Sequence, residues 1–569
     1  MALTLSANRT DLYFTHISSL SLFHRPTFER RVYVELTPEQ ASALMASMFC
    51  LAARYVEGNQ ASSNGTIFDS RVDPARFYHV ALDAAHRLLR NRGDGPPPLF
   101  LLQALILTTY HELIRSVQGV AWRSLGALIR LAYEVGLHLV DLPSRSANGD
   151  ADSVDVWITK EEKRRVWWTI WELEVFATTI RRCPMGMDQT QQATLLPVAD
   201  MYWFEGKKAS SCFLESDPTL RWKALQNSGN ENGRTWFIVI NSLMRDAHYL
   251  SNPSVPQVRD QGRGGNEGKM ASAQIASQLA ILDNCVSCFG MALPHQLQYR
   301  PGPSSHSSLD STTRKRECDK QVIHAMLQLA KLMILHNDCF RNDPPPTSDE
   351  SSSDSRTNGV WPKYLHAAEQ VVSIARDASP NHISDGDPLL PNIFWMVAAI
   401  QIVQATFAGA ESDKLVAQSN LDLLRLILMR HRDFWNTSSI LVENLRKLEN
   451  TMDSIQGRVT AKNHRTPPSP VEGITYDSEF IPACNPYSPN VDLDREESAI
   501  SGVQPNMILD DSVFSLSSGD DYCSTIIGEP AADIALGMSM EAIMSEIWEH
   551  ANQNDLFFDI DILGGFNDL

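Results

Sequence analysis

An irregular all-α array of many helices, interrupted by polar insertions and followed by an acidic tail, is the fold that this 569-residue sequence predicts. Three observations lead there. Apolar residues return at i, i+3, i+4 and i+7 in one segment after another, the spacing of a helix face. No stretch of any length alternates apolar and polar residues as a half-buried strand would, and there is no fixed-period repeat. The apolar segments are separated by Ser-, Pro-, Gly- and Asp-rich stretches, whose composition suits connections rather than a core.

In chain order, residues 11–31 lead into the helical body. Thr37 is placed to cap a helix opened by Pro38, running through Ala43, Met48, Phe49 and Ala52 to about Tyr55. Pro74 opens the next, with Phe77, Val80, Ala81, Ala84 and Leu88 turned inward. Three segments between Pro98 and Pro184 follow. Leu102, Leu105, Ile106 and Thr109 mark the first; Leu125, Leu128, Ala132 and Val135 mark the second. The third carries Val166, Ile170, Leu173 and Ala177, widened by Trp167 and Trp171, and Thr159 with Glu162 reads as the capping box that starts it. Pro184 forces residue 183 out of helical geometry and ends it. The chain is less regular to Gly233. Helices are then expected near 235–250, 273–289, 321–340, 362–378, 391–408, 412–429 and 440–455, with insertions at 257–269, 301–313 and 343–358. The helical domain spans 11–455, a linker 456–538, and a distinct acidic-hydrophobic segment 539–569.

The stretch 98–196 carries a resemblance. Trp122, then Leu131, Ala132, Glu134, Gly136, Leu137 and His138, then Glu161, Arg164, Arg165, Trp167 and Trp168, then Arg182 and Pro184, together resemble the middle homology region of fungal-specific transcription factors. The resemblance implies an irregular helical regulatory region, a place in the nucleus, and promoter DNA contacted by a two-zinc, six-cysteine cluster, often within a homo- or heterodimer. That cluster needs six Cys close together beside Lys and Arg. In this sequence the first Cys is Cys50, and the one close pair is Cys285 with Cys288, which reads as two helix-face thiols. The sequence therefore supplies no metal ligands and calls for no cofactor of its own; zinc enters through the resemblance alone.

Charge narrows the function. Of 49 Lys plus Arg and 68 Asp plus Glu, one and 20 fall in residues 471–569, which leaves 48 of each sign in residues 1–470. A neutral body with an acidic tail lacks the basic surface that displaces counterions from phosphates. The nine scattered Cys suit a reducing compartment. Met1–Thr10 does not read as a signal peptide, and the apolar run Ile393–Ala408 is too short and too polar to span a bilayer, so no membrane partner is expected. An enzyme is not expected either. There is no nucleophile elbow, zinc-protease or phosphate-loop motif, and Asp510-Asp511 and Asp520-Asp521 lie in the tail rather than on a metal-binding helix. Trp167, Trp168 and Trp171 read as core. Lys163, Arg164 and Arg165 read as a solvated face or as partners of nearby Glu, and Arg314-Lys315-Arg316 as a chance basic cluster in a loop.

The end of the chain is the second informative region. Leu556, Phe557, Phe558, Ile560, Ile562, Leu563 and Phe566 interleave with Asp555, Asp559, Asp561 and Asp568. Repelling carboxylates keep such a segment open, so its bulky groups stay available to the groove of a transcription coactivator. Two other readings are compatible with the sequence: a protein without DNA binding that pairs with zinc-cluster factors, and a regulator that senses a metabolite held between helices.

Overall fold

The computed structural model describes residues 10–17, 19–55, 73–142, 153–251, 266–300, 302, 311–340, 354–378, 382–437 and 439–463. The segment 539–569, with its seven bulky residues, and nearly all of the expected linker lie outside them. Among the described residues there are helices and no strands. They run α1 (10–16), α2 (Arg25–Arg30), α3 (Pro38–Ala52), α4 (Pro74–Arg92), α5 (Leu99–Arg115), α6 (Gly119–Glu134), α7 (Val154–Arg181), α8 (Asp200–Phe204), α9 (Pro218–Ser228), α10 (Gly233–Ser251), α11 (Asn266–Ala292), α12 (Ser311–Phe340), α13 (Asp354–Asp377), α14 (His382–Asp385), α15 (Pro391–Phe407), α16 (Glu411–Trp435) and α17 (Ile440–Asn463).

Local chemistry explains most of the starts. Thr37 accepts from the Gln40 amide while the Gln40 side chain reaches back to the Thr37 amide, closing a capping box ahead of Pro38. Asp73-Pro74 and Asp217-Pro218 repeat a simpler device, a carboxylate on the first-turn amides followed by a Pro that needs no donor. Gly136 takes a left-handed conformation (φ 73°) just past α6, and one 3-10 turn, Leu137–Leu139, follows it. The second segment therefore ends at Gly136.

Several expectations need correction. The third signature helix does not start at Thr159. It starts five residues earlier, capped by Ser153 on the Val156 amide. Thr159 instead donates to the Asp155 carbonyl within the helix, and Glu162 is buried and engaged elsewhere. Two short helices, α8 and α9, occupy the stretch read as irregular. Val80 is exposed, whereas Ala81 and Ala84 are fully buried. α12 begins ten residues before the expected start, so Arg314, Lys315 and Arg316 lie on a helix, not in a loop. There Arg314 faces Asp385 and Lys315 pairs with Asp200.

One apolar core joins nearly all of these helices, from Tyr13 on α1 to Met452 on α17. α3 and α4 form a hairpin, and α5 packs on both as well as on α6 and α7. α10 pairs with α12, α12 with α13, and α15 with α16. Gly233, the first residue of α10, lets the Asp319 carboxylate of α12 approach closely: a Cβ there would lie 2.5 Å from Asp319 Oδ2. α7 packs against α5, α6 and α10 within this core. Trp167, Trp168 and Trp171 are all at or below 1% exposure, which confirms them as core. Many of its polar residues are buried too. The stretch Ala273–Ala292 on α11 is long and apolar enough to cross a bilayer. It packs against α10 and α12, with Leu279, Leu282, Val286 and Phe289 buried in the common core.

Candidate functional site

The polar signature of α7 forms one buried network. Glu161 is wholly buried and lies between Arg164 and Arg165, each 3.1 Å away, one helical turn further on. Its Oε1 also accepts from the Val198 amide at 2.9 Å. Arg164 closes a two-pronged pair with Asp141 at 2.5 and 2.9 Å, and Asp141 in turn accepts from the Leu195 amide. Arg165 reaches Asp200 (2.5 Å), Ser21 Oγ (2.9 Å) and the Val198 carbonyl (2.6 Å), with its guanidinium 4.1 Å from the Trp203 ring. Glu162, beside them, pairs with Arg31 and accepts from Gln103. The network ties α7 to Arg31 in the turn after α2, to segment 193–198 and to α8.

These are the charges that the sequence offered as a solvated face or as partners of nearby Glu. Arg164 and Arg165 are partners, buried and fully engaged. Burial works against charge on Arg164, but Asp141 and Glu161 outweigh it and raise its pKa. Burial would raise the Asp200 carboxyl, yet Lys315 and Arg165 hold it well below the usual range. The end of α7 is fixed by similar means. Arg182 is left-handed (φ 52°), Cys183 donates to the Thr178 carbonyl, and Gly186 donates to Glu174 at 2.7 Å.

Beside this network lies a cavity of about 220 Å³, bounded by α5, α7, α10, α12, α13, α15 and α17. Its wall is mostly apolar, with Phe176, Met244, Met326, Met333, Trp395 and Met396 prominent. Two polar groups of residues face it. In one, Glu172 pairs with Arg234, and Tyr110 donates to Asp387 at 3.3 Å. The other comprises Arg182 at the end of α7, His248 of α10 and His336 of α12. Burial and the Arg182 charge lower both imidazoles, His248 to about 4 and His336 to about 3, so both are neutral at pH 7. The sequence did not point to this cavity; Arg182 stood out only as part of the turn.

For a metal the described residues offer no group of three or more His, Cys, Asp or Glu. Cys285 is buried and Cys288 half-buried on α11, and the remaining described thiols are dispersed. The zinc cluster implied by resemblance therefore finds no ligands among the described residues.

Residues 10–253 match the family model described as the fungal specific transcription factor domain. They hold the whole α7 network and most of the polar lining of the cavity. Residues 10–253 thus form a fungal specific transcription factor domain. Among curated relatives, a citrinin biosynthesis transcriptional activator of Monascus ruber is 32% identical over 124 residues, 21% of this chain and 24% of that protein. A Zn(2)-C6 fungal-type transcription factor of Fusarium oxysporum f. sp. lycopersici is 22% identical over 477 residues, 81% of this chain and 47% of that protein. An ascochitine biosynthesis cluster transcriptional regulator of Didymella fabae is 29% identical over 109 residues, 19% of this chain and 18% of that protein. The chain spans under half the length of these relatives. No solved structure matches it. Family and relatives together point to a regulator rather than an enzyme.

Two outcomes follow from this geometry. Glu161→Gln leaves Arg164 and Arg165 buried with half their compensation, and lowers unfolding free energy in urea by about 3–5 kcal/mol. Lys163→Gln, next to it but half-buried on the outer side, changes stability by less than about 0.5 kcal/mol. Equal effects would contradict the network. His336 titrates near 6.5 when unfolded but near 3 when folded. Between those values the unfolded chain holds more protons, so this stability is complete above about pH 6.5 and drains away on acidification. In His336→Gln, the loss of unfolding free energy from pH 6.5 to pH 5 is smaller than in the parent by about 1.5 kcal/mol. An unchanged pH dependence would contradict a neutral His336 in the folded chain.

Proposed function

We propose that this chain is the regulatory and activating part of a nuclear transcription regulator acting on RNA polymerase II genes. The observation that carries the reading is the fungal specific transcription factor domain over 10–253, with its signature Glu and Arg residues buried in one network. DNA binding is expected only through a zinc cluster, whose six closely spaced Cys this sequence does not contain, and the helical body has a balanced charge. Extending the printed names of the Monascus and Didymella relatives, the target is a set of biosynthetic genes. A partner copy or a related zinc-cluster factor joins through the helical body. The acidic-hydrophobic segment 539–569 recruits coactivators.

The test is a reporter. Tethered through a heterologous DNA-binding domain in a fungal nucleus, the full chain activates transcription. Alanine in place of Leu556, Phe557, Phe558, Ile560, Ile562, Leu563 and Phe566 drops activation to near background at equal protein level. Activation that survives those substitutions would remove the tail from the account. No activation by the parent chain would overturn the activator reading.

A further inference from the structure

We propose that the cavity beside α7 is a binding site for a small, largely apolar organic acid, with its carboxylate held by Arg182, His248 and His336 and its ring against Met244, Met333 and Trp395. The proposal is independent of which genes the protein controls.

Size comes first. About 220 Å³ exceeds the roughly 150 Å³ that accepts a benzene ring in an engineered cavity. It falls short of the roughly 300–1,000 Å³ of sites for drug-sized molecules. One substituted ring fits these limits. The wall is mostly apolar and includes several methionines, whose flexible thioethers adapt to an aromatic guest.

Charge selects the acid. The carboxylates on the cavity are at the other end: Glu172 pairs with Arg234, and Asp387 takes a hydrogen bond from Tyr110 and feels the Arg234 charge. Around the Arg182 end the charge that acts on both His248 and His336 is the positive one of Arg182. A guanidinium and two imidazoles converging on an apolar chamber favour a carboxylate, which accepts charge-assisted hydrogen bonds from all three.

The position of Arg182 gives the site its geometry. It caps α7 in a left-handed conformation, with its amide on the Thr178 and Thr179 carbonyls, so the backbone fixes where the side chain starts. A second cleft, lined by Asp217, Arg245 and Tyr249 among others, shares Thr179 and His248 with the cavity. The polar end therefore borders a cleft through which a charged group can arrive.

The experiment is isothermal titration of the full chain with cinnamate and with cinnamamide, which match in size and shape but differ in charge. Cinnamate binds with a Kd on the order of 100 µM, at least about tenfold tighter than the amide. Arg182→Gln abolishes that preference while the amide binds as before. Met333→Trp, which fills the chamber while keeping the polar end, removes binding of both. The parent protein alone already decides the main point: equal binding of acid and amide, or no binding of either at millimolar concentration, overturns the proposal whatever the variants do. Retention of the preference in a folded Arg182→Gln, judged by far-ultraviolet circular dichroism, overturns the assignment of the carboxylate to Arg182.

Discussion

A single buried carboxylate, Glu161, is the constraint on which the signature region depends. Burying an ion costs several kcal/mol unless it is both paired and hydrogen-bonded. Glu161 meets that condition by three means at once: Arg164 and Arg165 on its own helix, and the Val198 amide from the segment after it. The two arginines then need partners of their own. Asp141 comes from the connection after α6, and Asp200 from α8. Each new partner brings another segment into place, because an unpaired charge in this interior is far more costly than a misplaced methyl group. The acidic-Arg-Arg pattern is therefore a folding instruction. It fixes where the chain passes on both sides of α7, while the tryptophans beside it supply the apolar area.

Much of the fold could be read from the sequence because the helices announce themselves by spacing. α5, α6, α10 and α15 lie close to where their apolar residues put them. The reading of α7 went astray at Thr159 and Glu162 because a capping box is a local pattern, and the same residues fit a helix interior when the carboxylate has a distant partner such as Arg31. The actual cap, Ser153 three residues before Val156, is an equally local signal with no distant competitor. α9 was missed although Asp217-Pro218 announces it as clearly as Asp73-Pro74 announces α4. The basic run at 314–316 misled for a different reason: its surroundings are polar, yet its charges are spent on Asp200 and Asp385, far away in sequence.

The cavity was not legible at all, and the reason is physical. Its lining runs from Ser19 to Asn444 and is drawn from seven helices, so no window of sequence contains it. Arg182 was visible only as a turn residue, and His248 and His336 carry no motif. What joins them is the packing of α10 against α7 and of α12 against α10. A regulatory domain built this way places a ligand chamber against its most rigidly specified helix. Occupancy there would be felt across several helices, since α7, α10 and α12 all border it.

That rigidity is the central claim, and amide hydrogen exchange measures it most directly. With Glu161 as the constraint, amides 161–175 open only when the whole domain unfolds, with the same free energy and the same urea dependence as global unfolding. If those amides exchange through a smaller local opening while α15 and α16 stay protected, α7 is not the element on which the others depend.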